Sequence, residues 1–583
     1  MDERHGRDWP VERTARLAAG QTDGVLSDIN FGEVFPFVAK PLSRDGLAHY
    51  IGPMLGGQIA GLSRNDPLVL DLNPMAFVAG RPYMDLSAYI NLPGIAYQLH
   101  MLEAVDRGKG RTIAALARAK RLNPVPISVT ARLRFHLAYA RMGLRSLRWV
   151  LRRRTPVDLR DAYARTTERL RTLVRRPLDR DSPSVLLANL DREFTDESDP
   201  TKDGLQHLGL AMFLHTALQR LCDGRIPSAL IDDLSKGIPH NPTTTVSLDL
   251  WDLAQAAWPL ADVFAKTTPE TLVRALQTTV EGQRWWTRFE QFLGRHGHRG
   301  EVELDITTPR WREDPTFLLQ TVTNYLRHPA GAPSPPAMLA EGQRRREAAA
   351  AAIRQKLPVP LRGLFTWLYA RYVLWLPFRE AMKYTWLLGL EQARRVDREL
   401  GRRLVAAGHL KAVDHVFWLR QHEVRAWAET GVVTWTQEIL KAREREWQEW
   451  TRLRPPSLLI GTRGVEQATE ARPAGTSPEK VLHGTSVSPG EAEGIARVIT
   501  DPHRADLRPG EILVTHYTDP AWTPLFFTAG ALITEIGGVL SHGAVIAREI
   551  GLPAIVGVEG ATCRIATGRR VKVNASDGTV ELL

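Results

Sequence analysis

Apolar residues recur at helical spacing over most of the chain, and strand-like runs dominate only near its C-terminal end. Leu133, Leu137, Ala140, Leu144, Leu147 and Leu151 follow at intervals of four and three, which puts them in one stripe along a helix. Arg132, Arg134, Arg141, Arg145, Arg148 and Arg152 fall off that stripe, and Thr155-Pro156 marks its end. Helical patterning continues through 203–221, 248–264 and 269–293. After a Pro- and Gly-containing connection at 329–336, the alanine-rich run from Arg344 to Ile353 is a strong local helix former. Helices are expected over 364–378 and from Arg379 to about Val405, the second with Ala393, Val396, Leu400 and Leu404 as its buried stripe and Gly408 as its cap. Towards the N-terminus, 68–72 and 81–86 read as short strands or extended segments.

The texture changes around Pro455-Pro456. Residues 461–480 are rich in Gly, Pro, Thr, Ala and Glu without apolar period, and read as a linker. Short apolar runs at 494–499, 511–515, 531–534, 554–558, 570–574 and 579–583 predict strands, with Ser576-Asp577-Gly578 as the turn between the last two. The expected organisation is a polar segment at 1–29, a mostly helical domain at 30–455, a linker at 456–480 and a small α/β domain at 481–583. A small domain on a flexible tether is a candidate moving part.

Composition narrows the partners rather than the fold. A chain of 583 residues exceeds one compact core, and 43% hydrophobic with 24% charged residues is ordinary for a globular protein. The formal charge of +11 favours anionic partners. No finger, basic zipper or RNA-reading signature accompanies it, which argues against nucleic acid. The arginine face of 132–152 reads first as a solvated helix face, then as a docking surface, and last as a nucleic-acid surface. Cys222 and Cys563 are too isolated for a disulfide framework or a thiolate metal site. The first residues lack an apolar core, and 363–378 is too short for a bilayer and contains Arg371, so a cytoplasmic protein without a membrane partner is expected.

Two stretches carry candidate chemistry. In the first, the apolar run 531–533 leads through Thr534 and Gly537-Gly538 to Ser541, an N-cap for a helix over 542–550 that Gly551 and Pro553 end. That turn delivers His542 to a helix N-terminus, where free N–H groups and the helix dipole favour an anion such as a phosphoryl group; an anion site with an incidental histidine is the alternative. In the second, 296–315, two glycines and two prolines punctuate a dense set of ionisable side chains. Arg299 and Arg310 can clamp oxyanions, while His298, Glu303 or Asp305 can accept a hydroxyl proton; an internally paired Arg–Glu–Asp network is the equal alternative. His296 and His298 lack a third ligand at metal-site spacing, so no metal is expected. Trp367, Trp375, Trp386 and Trp418 read as core before they read as a cavity for a large apolar ligand.

The C-terminal motifs Val487 to Gly494, Pro509 to Thr515, Thr518 to Leu525 and Thr534 to Gly557 resemble, in order and spacing, the phosphohistidine swivelling domain of PEP-utilising enzymes. The resemblance covers 482–583 and implies that His542 carries a phosphoryl group, supported by Thr534, Gly537, Gly538, Ser541, Gly543, Arg548 and Glu549. Upstream, Glu33 to Pro36, Lys40 to Leu42, Gly297 to Gly300, Pro309 to Pro315 and Asp414 to Leu419 resemble the antibiotic-binding domain of rifampin phosphotransferase. That branch implies a multidomain protein, a mainly α-helical acceptor-binding domain followed by the small α/β swivelling domain, rather than PEP or pyruvate chemistry.

Members of that branch begin with an ATP-grasp module, for which 1–29 leaves no room, and Arg107 to Thr112 lacks the glycine spacing of a P-loop. The reading that follows is a split phosphotransferase. A separate ATP-grasp protein, with ATP and Mg, charges His542, which delivers the group to a small-molecule hydroxyl. Two alternatives stand beside it: an ATP-dependent condensing component of a natural-product pathway, and a non-catalytic binding homologue.

Overall fold

The computed structural model describes residues 8–14, 25–28, 37–87, 107–118, 128–152, 155–196, 199–327, 334–465, 481–501, 506–519, 522–538 and 541–583. Most of 1–29, the 33–36 motif and the 466–480 part of the expected linker lie outside these residues. The chain divides into two compact units: 1–206, 304–307 and 385–472 form the first, and 207–303, 308–384 and 473–583 the second. The long helix Phe378–Ala406 gives its first residues to the second unit and the remainder to the first.

The first unit combines helices with a six-stranded sheet in the order Val11–Arg13, Met75–Val78, Arg81–Asp85, Val25–Ser27, Leu458–Ile460, Arg463–Gly464, every pair antiparallel. Leu458–Ile460 and Arg463–Gly464, expected as linker, are thus strands joined by a turn. Leu458 and Leu459 are buried where they pair with Val25–Ser27, and Tyr83 Oη donates to the Pro456 carbonyl at 2.7 Å. The expected strand at 68–72 is instead the short helix Pro67–Asp71. Asp66 accepts from the Leu68 N–H at 3.0 Å and Pro67 occupies the first turn, so capping chemistry overrides a short apolar run that fits either state. Val396, Leu400 and Leu404 form the buried stripe expected of the long helix, packed in one core with Phe417 and Trp418.

The helix Val129–Leu151 forms, capped by Ser128. Its leucine stripe, however, is not the buried face. Ala131 and Phe135 pack against Ala60, Val69 and Leu72, while Leu133, Leu137, Leu144, Leu147 and Leu151 are exposed. The buried positions of this helix are Ala131, Phe135, Ala138 and Val150, a face offset from the leucine stripe.

In the second unit, helices Pro242–Gln255, Val280–His296, Thr316–Leu326 and Pro335–Lys356 share a core with the α/β part: Leu250, Phe289 and Val322 belong to the same cluster as Leu525, Leu532 and Ile546. Two expected helices are interrupted. The 248–264 pattern breaks before Pro259, and the 269–293 pattern restarts at Thr279, whose hydroxyl caps the Gly282 N–H at 3.1 Å. Eight strands run in the order Val481–His483, Thr579–Leu582, Arg570–Asn574, Glu491–Val498, Ile512–Thr515, Ala531–Thr534, Ala554–Val556, Thr485–Ser488. The four from Glu491–Val498 to Ala554–Val556 are parallel, and the outer pairings antiparallel. Parallel strands covered on both faces read as continuous apolar runs, and Ala531–Thr534 is buried at every position. A mainly helical multidomain chain with a C-terminal α/β domain is the observed class. No described helix is long and apolar enough to cross a membrane.

Candidate functional site

The strand Ala531–Thr534 points its C-terminal end at the turn that precedes the helix His542–Ile550. Thr534 is buried, its hydroxyl donating to the Ile536 carbonyl at 2.9 Å. Gly537 sits at φ 142°, where a Cβ would be strained and would press on Ser541, and the Gly538 carbonyl accepts from the Ser541 N–H at 2.9 Å. Ser541 caps the helix through the Ala544 N–H at 3.2 Å, which makes His542 its first residue. Gly543 has no room for a side chain, since a Cβ there would lie 2.3 Å from Thr518 Oγ1. Gly551 closes the helix in the left-handed region at φ 76°.

His542 is held at both ring nitrogens. Nδ1 lies 3.3 Å from Glu380 Oε2, and Nε2 lies 3.0 Å from Thr523 Oγ1. A carboxylate only accepts, so this pattern assigns the proton to Nδ1 and leaves the lone pair on Nε2, with the Thr523 hydroxyl as its donor. Burial lowers the His542 pKa; Glu380 opposes that and Lys383 and Arg379 add to it, and the net shift favours the neutral ring. For Glu380 itself, burial works to raise the carboxyl. His542, Arg379 and Lys383 prevail and hold it well below the usual carboxylate range. Thr243 Oγ1 donates to the same Oε2 at 3.0 Å, Arg379 Nε lies 3.6 Å from Oε1, and an Arg379 NH donates to the Ser541 carbonyl at 3.4 Å. An imidazole with a carboxylate behind the ring, two cations and a helix N-terminus is an arrangement chemically able to act as a nucleophile and to compensate an anionic adduct.

Further along the helix, Arg548 Nε donates to the Val487 carbonyl at 2.6 Å, and burial lowers its pKa to about 10. Glu549 accepts from Asn241 at 2.7 Å and from Thr244 at 3.1 Å. Burial pushes its carboxyl up to about 8 despite those donors, so it is neutral at pH 7. Both residues fasten the helix to its surroundings and lie away from the His542 ring contacts.

The 296–315 stretch has no regular element between His296 and Thr316, yet His296, His298, Arg299, Glu303, Arg310 and Trp311 are buried, and the chain doubles back through Arg299 N–H to His296 O at 3.1 Å and Trp311 N–H to Arg299 O at 2.7 Å. Arg299 Nε pairs with Glu303 Oε1 at 2.6 Å, Lys383 Nζ with Glu303 Oε2 at 2.9 Å, and Arg310 donates to the Glu303 carbonyl at 2.7 Å. Burial works to raise the Glu303 carboxyl, but Arg299 and Lys383 hold it low. His298 packs edge-on against Tyr384, ring centroids 4.6 Å apart. Asp305 belongs to the first unit, where it accepts from Ser43 Oγ at 3.3 Å and from the Thr307 N–H at 2.9 Å. Lys383 therefore links the loop to the histidine: it binds Glu303 directly and acts electrostatically on both Glu380 and His542.

Glu380, Lys383, Thr243 and Thr523 are absent from the residues singled out in the sequence. Glu380 and Lys383 carry one visible signal, charge: with Arg371 and Arg379 they interrupt an otherwise uncharged stretch from Leu364 to Leu390. The first unit holds a cavity of about 40 Å³ lined by Leu42, Tyr50, Leu190, Phe194, Leu390 and Asp397 among others. The four tryptophans considered as cavity-forming are not in its wall; Trp375 and Trp418 are core. Burial pushes the Asp397 carboxyl up to about 7, against the opposing pull of Arg394 and Arg425.

A family model described as the rifampicin phosphotransferase fourth domain matches residues 205–380, and one described as the PEP-utilising enzyme mobile domain matches 507–578. The rifampicin phosphotransferase of Streptomyces sviceus is 34% identical over 362 residues, 60% of this chain and 41% of that protein. The prodigiosin synthesizing transferase PigC of Serratia marcescens is 30% identical over 385 residues, 64% of this chain and 43% of that protein. The rifampicin phosphotransferase of Bacillus cereus is 30% identical over 364 residues, 60% of this chain and 41% of that protein. The chain spans about two fifths of the length of the curated relatives it matches. Across these matched regions the chain is similar to the rifampicin phosphotransferases and to the mobile domain of PEP-utilising enzymes.

Proposed function

We propose that this chain is the phosphohistidine-carrying component of a split, dikinase-like phosphotransferase. His542 Nε2 attacks a phosphoryl group of ATP; the P–N bond forms as the P–O bond to the nucleotide breaks. ATP and its Mg come with a separate ATP-grasp protein. An acceptor hydroxyl then attacks phosphorus, the P–N bond breaks, and the hydroxyl proton passes to a base. The acceptor is a small molecule, with natural products as the class suggested by the relatives' names.

The carrying observation is the clamp on His542: Glu380 at Nδ1 and a lone pair on Nε2, at a helix N-terminus beside Arg379. When Nε2 bonds phosphorus while Nδ1 keeps its proton, positive charge builds on the ring, and Glu380 stabilises it. Arg379, Lys383 and the helix N–H groups answer the phosphoryl oxygens. On the acceptor side, Arg299 and Arg310 are the proposed oxyanion holders and His298 and Glu303 the candidate bases; Asp305, which lies in the first unit, is left out of this set. Glu303, gripped by Arg299 and Lys383, is better suited to fixing those cations than to taking a proton.

The similarity to PigC supports a second reading, in which the phosphoryl group activates one substrate for joining to another. Product mass separates the two. With the chain, ATP, Mg and a candidate free-standing ATP-grasp protein, an acceptor screen yields a product heavier by one phosphate in the first reading. In the second, two substrates join with loss of water. Either product made at an undiminished rate by His542→Ala contradicts both, and binding of an acceptor without turnover favours a non-catalytic homologue.

A further inference from the structure

The helix Val129–Leu151 carries a second apolar face that its own unit leaves uncovered. Val129 is 82% exposed, Leu133 60%, Leu137 50%, Leu144 58%, Leu147 54% and Leu151 58%. Isolated exposed leucines are ordinary, but a continuous file of them marks an interaction surface. The file has coiled-coil form. With Leu133, Ala140 and Leu147 at d and Leu137, Leu144 and Leu151 at a, the seam runs unbroken along the helix. The e positions of this register are Arg134, Arg141 and Arg148, and the helix contains no Asp or Glu. Arg134 pairs with Asp66 of its own unit, whereas Arg141 and Arg148 make no ion pair among the described residues.

We propose that this face docks an amphipathic helix of a partner protein, apolar at its own a and d positions and acidic at the positions that meet the arginines. Charge selects that occupant. Two copies of this helix packed antiparallel would set Arg141 and Arg148 against their own equivalents. Packed in parallel, the arginines would face His136, Gly143 and Val150, of which Val150 is buried in its own unit and offers no counter-charge. An acidic helix neutralises the row at each heptad, and the like-charge row excludes basic helices. The proposal is independent of the reaction at His542.

The test uses the full chain and a fluorescent peptide of three heptads, leucine at a and d and glutamate at e and g, with a lysine-for-glutamate peptide as control. Expected is saturable binding of the acidic peptide that weakens with salt, and at least about tenfold weaker binding of the lysine peptide. Leu137→Asp with Leu144→Asp abolishes binding without lowering the melting temperature, since both side chains are exposed. Arg141→Glu with Arg148→Glu reverses the preference between the peptides. No binding of either peptide overturns the proposal. So does a dimer of the chain alone that Leu144→Asp dissociates, which assigns the face to a second copy. Binding to phosphatidylserine vesicles without binding to the acidic peptide also overturns it.

Discussion

Glu380→Gln tests the clamp on His542 most sharply, because it keeps the side-chain volume and removes only the charge. Both partners are nearly buried: the His542 and Glu380 side chains are 10% and 8% exposed. Glutamine can still accept from Nδ1 through its amide oxygen, so the tautomer is retained while the electrostatic support of a positive ring is lost. A hydrogen bond to a charged group contributes about 1.5–3 kcal/mol, which corresponds to about a 10- to 100-fold slower formation of the phosphoryl adduct. The His542 pKa moves as well. Glu380 raises it against burial, so its removal lowers it further and the neutral ring persists to more acid pH. Imidazole 15N NMR titration reads the pKa and tautomer without any partner, and rapid-quench labelling reads the rate. An unchanged His542 titration in Glu380→Gln, or a full-speed rate, refutes the clamp. Stability gives a further sign. Glu380 has a depressed pKa, so its contribution is present above the ordinary value of 4.5 and is lost as pH falls through the folded value. The variant lacks that acid-side loss.

Gly543→Ala places a Cβ 2.3 Å from Thr518 Oγ1 and is expected to cost about 1–3 kcal/mol by thermal melting. Thr518→Ala in the same chain recovers most of it, and a purely additive double variant contradicts the contact. Asp397 has its carboxyl raised from 3.8 to about 7, so the folded state resists ionisation and stability falls as pH rises across that interval, by about 4 kcal/mol. Asp397→Asn flattens this part of a denaturation series taken against pH. Glu303→Gln strips the counter-charge from the fully buried Arg299 and from Lys383, and is expected to destabilise by about 3–5 kcal/mol in urea melts. Arg299→Met with Glu303→Leu recovers stability if the pair is structural.

The C-terminal domain was the most legible part of the sequence. Ser541, Gly551 and Pro553 bracket a helix whose observed bounds match the expected 542–550, and the runs at 531–534 and 570–574 are strands at those same residues. Cap chemistry and β-branched runs are local, so sequence spacing is enough to find them. What was hidden is long-range. Leucines at heptad spacing mark a face but do not say whether anything covers it, and in Val129–Leu151 the protein covers the face of Ala131, Phe135 and Ala138 instead. Glu380 precedes His542 by more than 150 residues, and their 3.3 Å approach depends on the packing of separate helices, which no local pattern encodes. The 296–315 stretch has loop composition yet core burial, because its charges find one another: Arg299 with Glu303, and Arg310 with the Glu303 carbonyl. Polarity in the sequence marked it as surface; pairing allowed it inside.

The central claim is that Nε2 of His542 carries a phosphoryl group. The direct measurement is to incubate the chain with ATP, Mg and a candidate free-standing ATP-grasp protein, then examine it by intact mass and by 31P–15N coupling on histidine-labelled protein. One acid-labile, alkali-stable phosphate bonded to Nε2 of His542 is expected, absent from His542→Ala. Phosphate on Nδ1, on another residue, or retained in His542→Ala would contradict it.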